Sequence, residues 1–348
     1  MRVVVAMSGG VDSAVSAGLL AEQGHEVIGV HMRLHDRGAT NAPGHCCGVD
    51  DALDARRVAD QLGFPFYVFD LREAFGTAVM ADFAEAYLAG RTPNPCVQCN
   101  GVLKFRVLLA RALELGAEAL ATGHYARNVD GELRIAADSD KDQTYFLFPV
   151  TPAALARTVF PLGGLTKGEV RAHAERLGLP VASKPESQEV CFLPTDDHTA
   201  FVAEHATTDP SGEIVDEAGA VLGRHDAYFR FTVGQRRGLN VALGEPAYVL
   251  RVEPATRRVV VTTDPARLGA MGLRASRGVW HARPEPGESV GVRVRHRGRI
   301  NPATVDIADD GSFTARFDEP VRAVAPGQAA VVYRGERVLG GGWIGGAT

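Results

Sequence analysis

The chain opens on an unbroken apolar run, Val3-Val4-Val5-Ala6, and then alternates short apolar runs with amphipathic segments as far as about residue 205. Apolar runs of strand length without polar alternation belong to a sheet covered on both faces, so this half predicts a parallel sheet wrapped by helices, an α/β fold. We expect strands at Val3–Met7, Glu26–Met32, Phe66–Phe69 and Ala119–Ala121. Helices are expected at Ser13–Gln23, Asp50–Leu62, Phe75–Leu88 and Gly101–Leu115, and Thr166-Lys167-Gly168-Glu169 is a capping box that starts another. After about residue 206 the period changes to that of strands. Ala247–Val252, Arg258–Thr262, Val290–Val294, Ala303–Ile307, Phe313–Phe317 and Ala329–Tyr333 are alternating runs divided by turn residues, which predicts small β-domains or a barrel. Boundaries near 205 and 269 divide the chain into 1–205, 206–268 and 269–348.

Length and composition refine this picture. A chain of 348 residues is long enough for two or three cores. The N-terminal apolar run ends by Met7 and is followed by glycines, too short for a secretory signal, and no later run is long enough to span a membrane. A cytoplasmic location follows. The net charge of −5 argues mildly against nucleic acid, yet from residue 269 onward 11 Arg and no Lys face 8 acidic residues, an excess of +3 against −8 elsewhere. Arg293, Arg295, Arg297 and Arg299 alternate, which in a strand would align all four on one face. The five cysteines, Cys46-Cys47, Cys96-x-x-Cys99 and Cys191, are odd in number and sit in Gly/Pro-rich loops. That pattern suits reactive thiols or metal ligands better than a disulfide framework. Cys46 and Cys47 could equally be inert and buried.

Three segments carry chemistry. Ser8-Gly9-Gly10-Val11-Asp12-Ser13 lies between the first strand and the first helix. Its glycines let the backbone turn and approach a ligand, while the helix N-terminus and two hydroxyls offer donors to phosphate. It lacks the Gly-Lys-Ser/Thr of a Walker A loop and is similar instead to the pyrophosphate-binding PP-loop of enzymes that split ATP into AMP and pyrophosphate. In Thr92-Pro93-Asn94-Pro95-Cys96-Val97-Gln98-Cys99-Asn100, two prolines stiffen the approach to the cysteines. A helix starting at Gly101 would favour a thiolate at Cys99; an unperturbed thiol is only about 3% ionised at pH 7. The third segment is Ser187-Gln188-Glu189-Val190-Cys191-Phe192. Sulfur transfer needs one thiol to carry sulfur and another to resolve the carrier, which two loop cysteines beside an adenylating loop can supply.

Together these segments resemble the tRNA-specific 2-thiouridylase (MnmA type) family of the PP-loop ATP pyrophosphatase superfamily, and the resemblance runs along essentially the full length. Further stretches that carry it are Asp54-Ala55-Arg56-Arg57-Val58-Ala59, Lys104-Phe105, Ala121-Thr122-Gly123-His124-Tyr125, Asp138, Lys141-Asp142-Gln143-Thr144-Tyr145-Phe146-Leu147, Phe231–Leu239 and Arg295-His296-Arg297. The resemblance implies a PP-loop domain, a small central β-domain and a C-terminal tRNA-contacting β-barrel. It implies ATP-dependent 2-thiolation of the wobble uridine in tRNAs for Lys, Glu and Gln, with Mg²⁺ accompanying ATP and a cysteine desulfurase or sulfur-relay protein as partner of a monomeric enzyme. Residue by residue, it assigns ATP to Ala6, Met7, Ser8, Gly9, Gly10, Val11, Asp12, Ser13, Met32 and Gly123. It assigns the nucleophile to Cys99, the persulfide to Cys191, the strip beside the target base to Asn94, Pro95 and Cys96, and tRNA contacts to Lys141, Asp142, Gln143, Arg295 and His296. Two positions depart from the family pattern: Cys96 stands where Asp is common, and His296 where Tyr is common.

Two other readings compete. A PP-loop ligase or amidotransferase acting on a small molecule would share the loop but needs neither Cys99, Cys191 nor an Arg-rich β-tail. A redox or iron–sulfur module would use Cys96, Cys99 and Cys191; this reading is less favoured, because no second Cys/His pair with metal-ligand spacing lies near the CxxC.

Overall fold

The computed structural model describes residues 1–36, 49–185, 190–193 and 197–348. Cys46, Cys47 and Ser187 to Glu189 lie outside the described residues. The chain forms two compact units: Met1–Met80 with Pro95–Asp196 and Glu336–Val338, and Ala81–Asn94 with Asp197–Gly335 and Leu339–Thr348.

The first unit is built on a five-stranded sheet. Its strands are β1 (Arg2–Ala6), β2 (Glu26–Arg33), β3 (Phe66–Asp70), β4 (Ala119–Thr122) and β5 (Thr158–Val159), all paired in parallel in the order β3-β2-β1-β4-β5. The central place of β1 explains its unbroken valines: Val3, Val4 and Val5 are all at 0% exposure. Burying each is worth about 1.5–3 kcal/mol. Val3 and Val5 share one core with Val11, Ala14, Val15 and Leu20 of α1 (Val11–Glu22), Ala55 and Val58 of α2 (Val49–Leu62), and Val170 and Ala174 of α3 (Lys167–Arg176). Strand order reverses between β1 and β4, which opens a crevice outside their carboxyl ends, the place where open α/β sheets take ligands.

One expected helix begins earlier than its pattern suggested. The segment expected from Gly101 starts at Pro95, since proline has no N–H to leave unpaired and its fixed φ suits a first helical position. It runs as α-helix over Pro95–Cys99, widens to a π turn over Asn100–Leu108, and returns to α-helix over Leu109–Glu114.

The second unit contains two sheets. Tyr248–Glu253, Arg258–Thr262, Gly212–Val215 and Val221–His225 form a four-stranded sheet in that order. Gly269–Trp280, Phe313–Arg322, Asn301–Ile307, Ser289–Arg293, Ala329–Arg334 and Arg337–Ala347 form a barrel, closed by pairing between the first and last. Its core draws on alternate residues: Val290, Val292 and Val294 meet Ala303, Val305, Phe313, Ala315 and Phe317. The first and last barrel strands were not visible as alternating runs, because glycines interrupt them. A Cβ at Gly342 would stand 2.7 Å from the Ser276 carbonyl oxygen, so the closing strands can approach only without one.

The expected arginine stripe is not a strand face. Only Arg293 lies in a strand; Arg295 to Gly298 turn back, with Gly298 N–H donating to the Arg295 carbonyl at 3.0 Å, and pairing resumes at Asn301. The reason is legible in retrospect: after Val294 the intervening residues, His296 and Gly298, offer no apolar anchor for a strand. Arg295, Arg297 and Arg299 instead stand exposed at a hairpin tip.

The capping box forms as expected. Glu169 N–H donates to Thr166 Oγ1 at 3.3 Å, and Thr166 N–H donates to Glu169 Oε2 at 2.7 Å. Thr166→Ala should therefore cost about 1 kcal/mol in denaturant titration, with Thr166→Ser near wild type.

Candidate active site

The loop between β1 and α1 is held from within and from behind. Ser13 Oγ donates to the Gly10 carbonyl at 3.1 Å and accepts from Ser8 N–H at 3.1 Å, so one hydroxyl pins the turn. Gly9 has φ +78°, and a Cβ there would lie 2.3 Å from the Asp51 carbonyl oxygen. At the end of β4, a Cβ on Gly123 would lie 2.8 Å from Asp12 C and Ser13 N. Two glycines thus let the backbone of α2 and the end of β4 close on the loop. Gly10 caps α1 in extended conformation, leaving the first-turn N–H groups, which have no intrahelical acceptor, at the head of the crevice. That is a cradle for an anion with backbone donors.

Two lysines fix the loop electrostatically, and neither was singled out from the sequence. Lys167 Nζ reaches Asp12 Oδ1 at 2.6 Å, where the Tyr125 hydroxyl also donates at 3.0 Å. A cation at the start of α3 is disfavoured by the helix dipole, so the contact with Asp12 is what makes this placement tolerable. Lys184 Nζ donates to the Gly9 carbonyl at 3.1 Å, Asp51 Oδ1 at 2.8 Å and Asp54 Oδ2 at 2.7 Å. Burial opposes its charge, but the two carboxylates outweigh burial and raise its pKa. The signal for both was only a lysine in a motif; their partners are 155 and 130–133 residues away.

In front of the loop lies a cavity of about 320 Å³. It brings together Ala6, Met7, Ser8, Asp12, Ser13, Met32 and Gly123 with Pro95, Cys96, Cys99, Gln143 and Cys191. Lys104, His31 and His124 also line it. Gly9, Gly10 and Val11 belong to the loop but not to the cavity wall, and Val11 is buried in the core. Lys141 and Asp142 do not line it either. The Asp142 carboxylate is buried and accepts from Thr144 Oγ1 at 2.9 Å and from Ala136 N–H at 3.3 Å, so it staples its own turn. Gln143 Oε1 accepts from Tyr125 N–H at 2.9 Å. Asn94, Arg295 and His296 belong to the second unit.

The cysteines differ sharply. Cys96 is exposed in the first turn of its helix, Cys99 is buried one turn further in, and Cys191 is half-buried; none of the three is in a disulfide. Phe192 packs edge-on against Phe75, with ring centroids 5.7 Å apart, which seats Cys191 at the wall. Because the helix starts at Pro95, Cys99 lies inside it and gains little from the dipole. Burial pushes its thiol pKa up, with Lys104 pulling the other way. Burial also lowers both histidines, His124 well below its ordinary value. His31 Nδ1 lies 2.9 Å from the Met7 carbonyl, which can only accept, so the proton sits on Nδ1. Among the described residues no group of three or more His, Cys, Asp or Glu side chains could hold a metal ion, and no helix is long and apolar enough to cross a membrane.

The loop geometry separates its two glycines. Gly9→Ala should destabilise by about 1–3 kcal/mol through strain and collision. Gly10→Ala, at φ −96° with Ser8 Oγ at 3.5 Å as its nearest neighbour, should stay within about 0.5 kcal/mol. Chemical denaturation of the two variants reads the difference.

Comparison with known proteins matches this arrangement along the whole chain. The tRNA methyl transferase HUP domain matches residues 1–195, the tRNA methyl transferase PRC-barrel domain 199–263, and the aminomethyltransferase beta-barrel domain 270–344. The tRNA-specific 2-thiouridylase MnmA of Geobacter metallireducens is 50% identical over 99% of this chain and 96% of its own length. That of Rhodospirillum centenum is 50% identical over 99% and 91%, and that of Kineococcus radiotolerans 50% over 100% and 99%. With half its residues shared end to end, the chain belongs to the family of the tRNA-specific 2-thiouridylases.

Proposed function

We propose that this chain is an ATP-dependent tRNA-uridine 2-sulfurtransferase, acting on the wobble uridine of tRNAs for Lys, Glu and Gln. The observation that carries the reading is one cavity lined by the serines of the PP-loop, by Cys99 and by Cys191. A ligase acting on a small molecule has no use for two thiols at that wall.

The first step is adenylation. The uridine 2-oxygen attacks the α-phosphorus of ATP, the bond to the bridging oxygen breaks, pyrophosphate leaves, and the N3 proton passes to water. The loop's N–H donors and Ser8 and Ser13 hydroxyls meet the phosphate oxygens. Mg²⁺ brought with ATP would neutralise phosphate charge; Asp12, the carboxylate among the described residues lining the cavity, would be the residue to hold it, its Oδ1 being bonded to Lys167 and Tyr125.

The second step is sulfur transfer from a persulfide on Cys191, loaded by a cysteine desulfurase or relay protein. In one route the terminal sulfur attacks carbon 2, AMP leaves with the original oxygen, and Cys99 thiolate attacks Cys191 Sγ to free the thiocarbonyl sulfur. In the other, Cys99 attacks first and releases hydrosulfide, which attacks carbon 2. Both leave a Cys99–Cys191 disulfide that an external thiol reduces. Residues 1–205 carry this chemistry, 206–268 form the central β-domain, and the barrel of 269–348 contacts tRNA through Arg295 and His296, as the segment Lys141-Asp142-Gln143 does from the catalytic domain, its turn stapled by the buried Asp142 carboxylate. The protein works as a cytoplasmic monomer, and Asn94, Pro95 and Cys96 flank the base.

Single-turnover thiouridine formation, read by nucleoside mass analysis, tests the reading. Cys191→Ser should abolish product, Cys99→Ser should stall after persulfide formation, and Cys96→Ser should keep substantial activity. AMP and pyrophosphate should accompany each product; ADP and orthophosphate would sink the PP-loop assignment. If folded Cys96→Ser is as inactive as Cys99→Ser, the two-cysteine mechanism fails and a cluster or CxxC-redox reading replaces it.

For the barrel, replacing Arg295 and Arg297 by Ala should lower the salt dependence of tRNA binding by roughly one unit of slope per lost contact. An unchanged slope would make the hairpin tip plain surface.

A further inference from the structure

Among the described residues that line the cavity, Lys104 is the one Lys or Arg. The two lysines that serve the loop are bound to carboxylates, Lys167 to Asp12 and Lys184 to Asp51 and Asp54. Lys104 makes no ion pair among the described residues, although it is half-buried, where an unpaired ammonium is costly. A cation kept there without an ion-pair partner among the described residues is available to an anion that forms in the cavity.

Its position depends on the π turn. Cys99 ends the α-helical stretch, and Asn100–Leu108 follows with i to i+5 hydrogen bonding. In a regular α-helix, side chains five residues apart diverge by roughly 140° around the axis, so Lys104 could not share the face of Cys99. Widening the turn brings residue i+5 round toward residue i, and both side chains line the same cavity. Such turns are rare within helices and occur frequently at functional sites.

We propose that Lys104, aimed by the π turn, is the positioning residue that offsets part of the ionisation Cys99 loses on burial, so that its thiolate forms more readily than it would without the lysine. The proton leaves to bulk water; Lys104 keeps its own and supplies only the counter-charge. The other titratable groups at this wall do not substitute for it. Burial lowers the pKa of His31 and of His124, so both are neutral near pH 7. Asp12 is held by Lys167, and Cys96 and Cys191 are themselves thiols. For Cys99, burial raises the pKa, and among the described residues Lys104 is the charge that lowers it. The role of that thiolate rests on the sulfur-transfer reading, but its ionisation does not.

The test is the pH dependence of Cys99 alkylation by iodoacetamide in the full chain without substrates. It is read peptide by peptide by mass spectrometry, with exposed Cys96 as internal reference. Lys104→Met and Lys104→Gln should move the Cys99 midpoint upward by about one pH unit or more, leave that of Cys96 in place, and Lys104→Arg should restore the wild-type profile. An unmoved Cys99 midpoint in a folded Lys104→Met protein, an equal shift at Cys96, or no recovery with Arg would each overturn the proposal. Failure of the sulfur-transfer reading looks different: Cys99→Ser would still make thiouridine, while the Lys104 dependence of the midpoint would persist.

Discussion

The tight corner between β1 and α1 is the constraint on which the site depends. Central valines fix β1 in the sheet, and the reversal of strand order leaves a crevice at its end. The loop that fills this corner must then accept the α2 backbone at Gly9 and the end of β4 near Gly123, both at separations no Cβ would tolerate. Everything that lines the cavity is positioned relative to that packed turn. A looser loop would leave the same residue types in place but not the same donors.

Charge is distributed around this corner by depth. Behind the loop, Lys184 gathers Gly9, Asp51 and Asp54; at its flank, Lys167 and Tyr125 hold Asp12. These cations are spent on structure, and with two neutral histidines they leave the front of the cavity nearly free of fixed counter-charge. An incoming nucleotide therefore meets oriented N–H groups and hydroxyls, with Lys104 as the remaining cation among the described lining residues. Such a site favours an anion by dipoles set in advance, which cost no reorganisation when charge shifts during reaction.

How much of this could be read from residues depended on the range of the interaction. The sheet, the loop and the Thr166 capping box rest on local rules, and they appear within a residue or two of expectation. The barrel was legible where apolar residues alternate and lost where glycines close it, in Gly269–Trp280 and Arg337–Ala347. The arginine alternation misled because period 2 is a strand signal only when the other face is apolar, and His296 and Gly298 are not. Lys167 and Lys184 were missed for a different reason: their carboxylate partners lie more than a hundred residues away, and no pattern of spacing encodes that. The π turn was equally invisible, since its sequence has no feature that an α-helix would lack.

The start of the helix at Pro95 changes what the CxxC pair means. Cys96, exposed in the first turn, has the helix N-terminus in its favour, whereas Cys99 sits buried where that help has faded. If thiolate population were the only requirement, Cys96 would be the better nucleophile. Burial gives Cys99 something the surface position lacks. A buried thiol works where water is sparse, which protects reactive sulfur from water and stray thiols. The arrangement accepts a harder ionisation in exchange for a protected transfer. It then restores part of the lost ionisation with a side chain five residues on, through a backbone irregularity that no α-helical register could provide.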